Sequence, residues 1–240
     1  TLPYALTAAQ RRVIKEINED LSKVSPMNRL LQGDVGSGKT VVATLAALRA
    51  VDAGFQVALM APTEILAEQH FRKVAKLVAP LGVRVAWLVG SLKPKEKALC
   101  QEKIAAGDYD IVIGTHALIS EAVTFHNLAL AVIDEQHRFG VEQRLRLRSC
   151  EGDEQYTPHL LMLSATPIPR TLAMSYLADM DVSVIDELPP GRTPIQTKLV
   201  SLARVDDVAR VLLTNKAQHL QAYWVCPLIE EGENSALSAI

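Results

Sequence analysis

The chain has 240 residues, a formal net charge of -2 and 49% hydrophobic residues, enough for a core burying roughly 70% of the surface an unfolded chain exposes. That balance excludes a broadly basic nucleic-acid coat, although a local groove of lysines and backbone amides remains compatible with it. No apolar run approaches the roughly 18 residues of a bilayer span and the chain from Thr1 onward has no signal-peptide pattern, so a cytoplasmic location, a soluble chain and an origin in something longer are expected.

Taken in order, Leu6-Thr7-Ala8-Ala9-Gln10 precedes a helical pattern with Val13, Ile14, Ile17 and Leu21 on one face. Thr7 reads as the N-cap and Gln10 as the third helical residue, a capping box that accounts for both side chains. A Gln10 amide facing an adenine is the functional alternative, and spacing alone favours the cap.

A short strand from Arg29 to Gln32 and a long helix from Val41 to Val51 flank Gly33-Asp34-Val35-Gly36-Ser37-Gly38-Lys39-Thr40. This is the context of a phosphate-binding loop. Glycines let backbone N–H groups curl around an anion, and the helix start adds its positive dipole end. Lys39 is placed to reach β and γ phosphates, and the Thr40 hydroxyl to hold Mg²⁺.

Strands and helices then alternate. Gln56 to Ala61 reads as a buried strand, Pro62-Thr63-Glu64 as the cap of a helix bearing Ala67, Phe71, Val74 and Val78, and Val83 to Val89 as a strand ending at Gly90-Ser91. Lys93 to Ala106 reads as a charged helix whose Lys93, Lys95 and Lys97 form a solvated face. Strands follow at Asp110 to Gly114, Leu128 to Ile133 and His159 to Leu163, then a helix from about Ile168 to Leu177. The pattern specifies an α/β fold, a doubly wound parallel sheet with helices on both faces. Ligands in such sheets bind at the carboxyl ends of the strands, where the phosphate loop, Pro62-Thr63, Gly90, Thr115-His116, Asp134-Glu135 and Ser164-Ala165-Thr166 all fall.

Asp134 and Glu135 leave the apolar run Leu128 to Ile133. In phosphoryl transfer, Asp134 would hold Mg²⁺, usually through water, and Glu135 would polarise the attacking water. The carboxylates alone favour a plain helix start; about ninety residues after a phosphate loop they favour catalysis. Cys100, Cys150 and Cys226 have no metal-ligand spacing and read as small hydrophobes. His70, His126 and His219 read as capping or core histidines.

Asp134-Glu135-Gln136-His137-Arg138-Phe139-Gly140, Ser164-Ala165-Thr166-Pro167-Ile168-Pro169-Arg170-Thr171 and Ala61-Pro62-Thr63-Glu64 together resemble superfamily 2 DNA helicases, and within them the RecG type, from about Leu2 to the end of the chain. Gln136 and Glu187-Leu188-Pro189-Pro190-Gly191-Arg192 look more like that type than like the motor of a transcription-repair coupling factor. The resemblance implies a RecA-like domain and an ATP- and Mg²⁺-dependent translocase that remodels stalled forks and other branched DNA. It makes Gln10 an adenine reader while Thr7 keeps its cap. It makes Pro62, Thr63, Gly90, Thr115 and His116 contacts to strand phosphates, and Gln136, His137, Ser164, Ala165 and Thr166 the link between γ-phosphate and DNA.

The resemblance also divides the chain. Residues 1–188 correspond to the first RecA-like domain, 189–194 to a proline-rich connector, and 195–240 to the β-α-β opening of a second RecA-like domain, with strands at Gln196 to Ser201 and Gln221 to Leu228 around a helix from about Val205 to Lys216. Such motors place ATP between two domains and take arginine fingers worth about 10³ to 10⁵ in rate. A completed second domain and the family's DNA wedge would have to come from elsewhere in a monomeric protein. The expected fragment binds Mg-nucleotide weakly, does not unwind, and exposes the apolar edge Ala222 to Val225. A nucleotide-switched DNA clamp without productive hydrolysis is the reading from another class.

Overall fold

A computed structural model of the chain describes residues 5–134, 157–166, 180–187, 195–217 and 220–225. The chain divides into two compact units, Thr1–Arg192 and Thr193–Ile240. In the first, α1 (Ala8–Leu21) leads to β1 (Asn28–Gly33), α2 (Lys39–Asp52), β2 (Gln56–Met60), α3 (Glu64–Val78), β3 (Val85–Leu88) and α4 (Pro94–Ala105), then β4 (Ile111–Gly114), β5 (Leu128–Asp134), β6 (His159–Ser164) and β7 (Asp181–Ile185). The strands form one seven-stranded sheet in the order β3-β4-β2-β5-β6-β1-β7, and every described pairing is parallel. It is a RecA-like doubly wound sheet.

Alternating residues of the strands fill two cores. Leu31, Val57, Leu59, Ile111, Ile113, Leu130, Val132, Leu161 and Leu163 face α1, α2 and α3, whereas Leu30, Met60, Leu88, Val112, Ile133, Leu160 and Met162 pack with Ile104 of α4 and the Ala117-Leu118 turn. A strand buried on both sides needs apolar residues at every position, which is why β2 and β5 read as unbroken apolar runs. Because all strands run the same way, every carboxyl end opens on one edge.

The sequence did not single out β7. Its Ser183 and Ile185 are buried while Val182 and Val184 are 45% and 43% exposed, so its inward pattern is partly polar. Arg29 explains this. The guanidinium Nη1 donates to the Ser183 hydroxyl at 2.9 Å, and Nε donates to Asp20 at 2.7 Å. Glu16 and Asp181 carboxylates lie 3.7 and 3.6 Å away. A buried arginine thus ties β1 to α1 and β7. Burial raises the Asp20 pKa, but its bonds to Arg29 and Lys23 outweigh that and hold it below the ordinary value.

Gln56 serves a similar end near β2. Its amide nitrogen donates to the carbonyls of Ile104 and Tyr109, and its oxygen accepts from the backbone of His126 and Asn127. All of its hydrogen-bonding capacity is spent on chain segments that the sheet does not itself satisfy. Cys100 is half-buried, and burial pushes its thiol pKa up, as befits a packing residue. Cys150, Cys226 and the helix expected from about Ile168 to Leu177 lie outside the described residues.

In the second unit, α5 (Val205–Ala217) follows a short 3-10 turn. The strand expected from Gln196 to Ser201 is not formed: residues 195–201 make no ladder, and neither do 220–225 at the start of the other expected strand. A strand is stabilised by a neighbour's N–H and C=O groups, and no described residue of this unit supplies that pairing. Residues 222–225 are exposed, Tyr223 and Val225 almost fully. No described helix in either unit is long and apolar enough to cross a membrane.

Candidate nucleotide site

The loop between β1 and α2 is built by two left-handed glycines, Gly36 and Gly38, with φ of 83° and 90°. This turns the backbone back on itself before α2 starts at Lys39. Asp34, Val35 and Gly36 are exposed at the tip, whereas Ser37 lies folded inward with its hydroxyl buried and without a hydrogen-bond partner among the described residues. Gly33 closes β1 beside Ile185 of β7.

Lys39 turns its Nζ onto the loop's own carbonyls, at 2.6 Å from Gly33 and 3.0 Å from Asp34. Neutral carbonyls are weaker partners for an ammonium than phosphate oxygens, so a bound phosphate would compete for this group on favourable terms. Thr40 stands in the first turn of α2. The loop therefore fits a polyphosphate: it has the curled backbone, the cation and the helix start such a group needs.

Gln10 stands where the capping reading puts it. The Thr7 hydroxyl accepts from the Gln10 N–H at 3.2 Å and Gln10 Oε1 accepts from the Thr7 N–H at 3.0 Å, completing the capping box. The other end of the same amide donates from Nε2 to the Ser37 carbonyl at 2.8 Å. Gln10 thus fastens the α1 cap to the phosphate loop. Glu187 joins the same corner by accepting from the Ala9 N–H, the main cause of its lowered pKa.

Register sets the remaining distances. Gln32 of β1 pairs with Ser164 of β6, and Leu163 of β6 pairs with Asp134 of β5. The loop and Asp134 are therefore two interstrand spacings apart, roughly 10 Å, with Ser164 between them. Among the described residues no group of three or more His, Cys, Asp or Glu gathers at one point. One carboxylate, one hydroxyl and substrate phosphates make the kind of set that suits Mg²⁺, which keeps much of its water.

The candidate coupling residues contact each other. Ser164 is buried and donates from its hydroxyl to the Thr166 carbonyl at 3.0 Å, while the Thr166 N–H donates back at 3.3 Å. Ala165 between them is half-buried and Thr166 is exposed. Glu135, Gln136 and His137 lie outside the described residues.

The loops read as strand contacts share the same sheet edge. Thr63 caps α3, its hydroxyl accepting from Leu66 N–H at 3.3 Å, and it is exposed next to half-buried Pro62. Glu64 bridges to the next loop. Its carboxylate accepts from the Ser91 hydroxyl and backbone N–H at 2.6 and 3.0 Å, and these bonds, the hydroxyl's first, lower its pKa. Gly90 is exposed beside it. His116 is also exposed, but Thr115 is 2% exposed and its hydroxyl is buried without a partner among the described residues. The Thr115 hydroxyl is therefore not on the surface a strand would touch. Gly114 before it lies directly against the Leu88 carbonyl, where a Cβ would collide with the neighbouring strand.

One functional neighbour escaped the sequence reading. His70 of α3 lies 2.6 Å from Asp134 through Nε2 and Oδ2, with His70 buried and Asp134 partly buried. The available signal was its place on the inward stripe of α3 beside Ala67 and Val74.

Residues 7–175 match the family model of the DEAD/DEAH box helicases, and the chain belongs to that family. Within it, the chain is similar to bacterial ATP-dependent DNA helicases RecG. It is 56% identical to that of Haemophilus influenzae over 234 residues, which is 97% of this chain and 34% of that protein. It is 55% identical to the RecG of Escherichia coli K12, again over 97% of this chain and 34% of the relative. The chain thus spans about a third of the length of these relatives. A solved structure of RecG bound to a three-way DNA junction superposes with a TM-score of 0.79 at 46% identity, over 90% of this chain and 28% of that one. The DUF1998 helicase MrfA bound to DNA, 22% identical with a TM-score of 0.64 over 88% of this chain and 33% of its own, shares the fold.

Proposed function

We propose that this chain is the first motor domain, and the opening of the second, of a RecG-type helicase that hydrolyses ATP to move along duplex DNA and remodel branched DNA in recombination and repair. The observation that carries the reading is the row of strand ends. The phosphate loop, Ser164 and Asp134 stand side by side in register, with the strand-contact loops on the same edge. The identity to RecG relatives supports the branched substrate. Residues 1–188 form the first domain in this reading, 189–194 the connector and 195–240 the start of the second; the protein acts as a cytoplasmic monomer that takes its wedge and the rest of its second domain in cis.

Gly33 to Thr40 hold the triphosphate, and Gln10 reads the adenine. Because Gln10 already bonds Thr7 and Ser37, adenine recognition and loop shape depend on the same side chain. Mg²⁺, when bound by Thr40 and Asp134, supplies charge neutralisation at the phosphates. Lys39 gives up the Gly33 and Asp34 carbonyls to pair with phosphate oxygens. Glu135 orients and polarises the attacking water, with Gln136 and His137 beside it, and Ser164, Ala165 and Thr166 exchange partners as the γ-phosphate leaves. Pro62, Thr63, Gly90, Thr115 and His116 supply the DNA face, Thr115 through its backbone. Contacts of this kind to phosphates are sequence-independent.

The test is ATP turnover by the full-length gene product at fixed low salt, with and without a model replication fork, alongside Glu135→Gln. Fork-stimulated turnover that disappears in the variant is expected. Nucleotide binding with no stimulation by the fork would refute a motor and favour a nucleotide-switched clamp. The 240-residue chain alone is expected to bind Mg-nucleotide weakly and not to unwind.

A further inference from the structure

We propose that His70 is a positioning residue for the metal-side carboxylate, fixing Asp134 from behind through α3. The inference rests on the nucleotide reading above and assigns a role to a side chain that the family's motifs leave out. Asp134 is the last residue of β5, so its backbone is held by the β6 ladder up to Leu163 while its side chain emerges where that support ends. A carboxylate must itself be held in one orientation before it can hold a metal-bound water in one place.

His70 supplies such a hold. Its Nε2 lies 2.6 Å from Asp134 Oδ2, within hydrogen-bond distance. The ring itself has little freedom. It is 7% exposed on the inward stripe of α3, and α3 is anchored to the sheet by Val74 and Val78, both buried in the same core. A carboxylate has about four acceptor positions, so the bond to His70 is compatible with further partners toward the phosphate loop.

Two features separate this pair from a bland buried ion pair. The histidine's other nitrogen, Nδ1, is buried and has no hydrogen-bond partner among the described residues, so the ring is not placed to satisfy its own polarity. Among the described residues its one polar contact is to the carboxylate. The carboxylate in turn stands at the sheet edge in the row with the phosphate loop. Outer residues that bond metal-side carboxylates are generally worth about 10- to 100-fold in metal affinity.

The experiment measures binding of adenylyl-imidodiphosphate to the 240-residue chain twice, once with Mg²⁺ and once with EDTA. The ratio of the two affinities is the readout, and circular dichroism melts follow folding. In His70→Phe the ratio should fall about tenfold with metal-free binding unchanged, and His70→Gln, which keeps a donor, should recover part of it. On an Asp134→Ala background His70→Phe should change nothing further, because His70 acts through that carboxylate. An unchanged ratio in folded His70→Phe, or an equal fall with and without Mg²⁺, overturns the proposal while leaving the nucleotide site standing. A wild-type chain whose binding ignores Mg²⁺ overturns the metal reading and this inference with it.

Discussion

Replacing Gly38 by alanine tests how the phosphate loop is made. Gly38 sits immediately before α2 with φ of 90°, a left-handed conformation that costs an ordinary residue about 1–2 kcal/mol. The added Cβ would also run into the Gln10 amide. A long side chain could usually swing aside, but Gln10 is 6% exposed and held at both ends, by the Thr7 N–H at 3.0 Å and the Ser37 carbonyl at 2.8 Å. Losing those bonds costs about 0.5–1.5 kcal/mol each, so the substitution should destabilise the chain by about 2–5 kcal/mol in all. Urea unfolding followed by circular dichroism measures it. In a Gln10→Ala background the same substitution should cost only the backbone part, about 1–2 kcal/mol. A Gly38→Ala chain within about 0.5 kcal/mol of wild type, the size of an ordinary surface substitution, would refute the reasoning. An identical cost in both backgrounds would refute the contact with Gln10.

Arg29→Met should cost about 3–5 kcal/mol in the same assay, because it strands the buried Asp20 carboxylate without its main partner; adding Asp20→Leu should restore most of it, and failure to do so would mean the arginine's packing, not its charge, matters. Acid sensitivity should come from His159. Burial holds its pKa below the ordinary 6.5, and its Nδ1 accepts from the Met27 N–H at 2.9 Å. Below pH 6.5 the unfolded chain takes up the proton more readily than the folded one, so this contribution is complete above 6.5 and lost as pH falls toward the depressed folded value. Melting temperatures at pH 7.5 and 5.5 should diverge less in His159→Gln than in wild type, and equal divergence would count against this histidine.

How much of this was legible beforehand depended on whether a residue's signal is local. The capping box of Thr7 and Gln10, the Thr63 cap and the glycine loop each arise from backbone geometry within a few residues, and each stands where the spacing puts it. The buried strands were legible because a strand covered on both faces has no polar alternation to confuse with a helix face. β7 was not, since its inward positions include Ser183, whose burial makes sense only once Arg29 arrives from β1. The strand expected at 196–201 failed for the converse reason: the residue preferences were present, but a ladder requires a partner that local preference cannot provide.

The sequence by itself determined the chemistry on offer: a glycine loop with Lys39 and Thr40, an acidic strand end, and hydroxyl-bearing loops at the ends of neighbouring strands. Periodicity and turn signals carry that information within each segment. Tertiary structure alone decided which of those groups meet. Parallel register set Ser164 between the phosphate loop and Asp134, burial took the Thr115 hydroxyl off the surface, and α3 brought His70 to a carboxylate 64 residues away. Contacts of that kind follow from how helices pack across a sheet, and a side chain's identity says nothing of its distant neighbour until that packing is known.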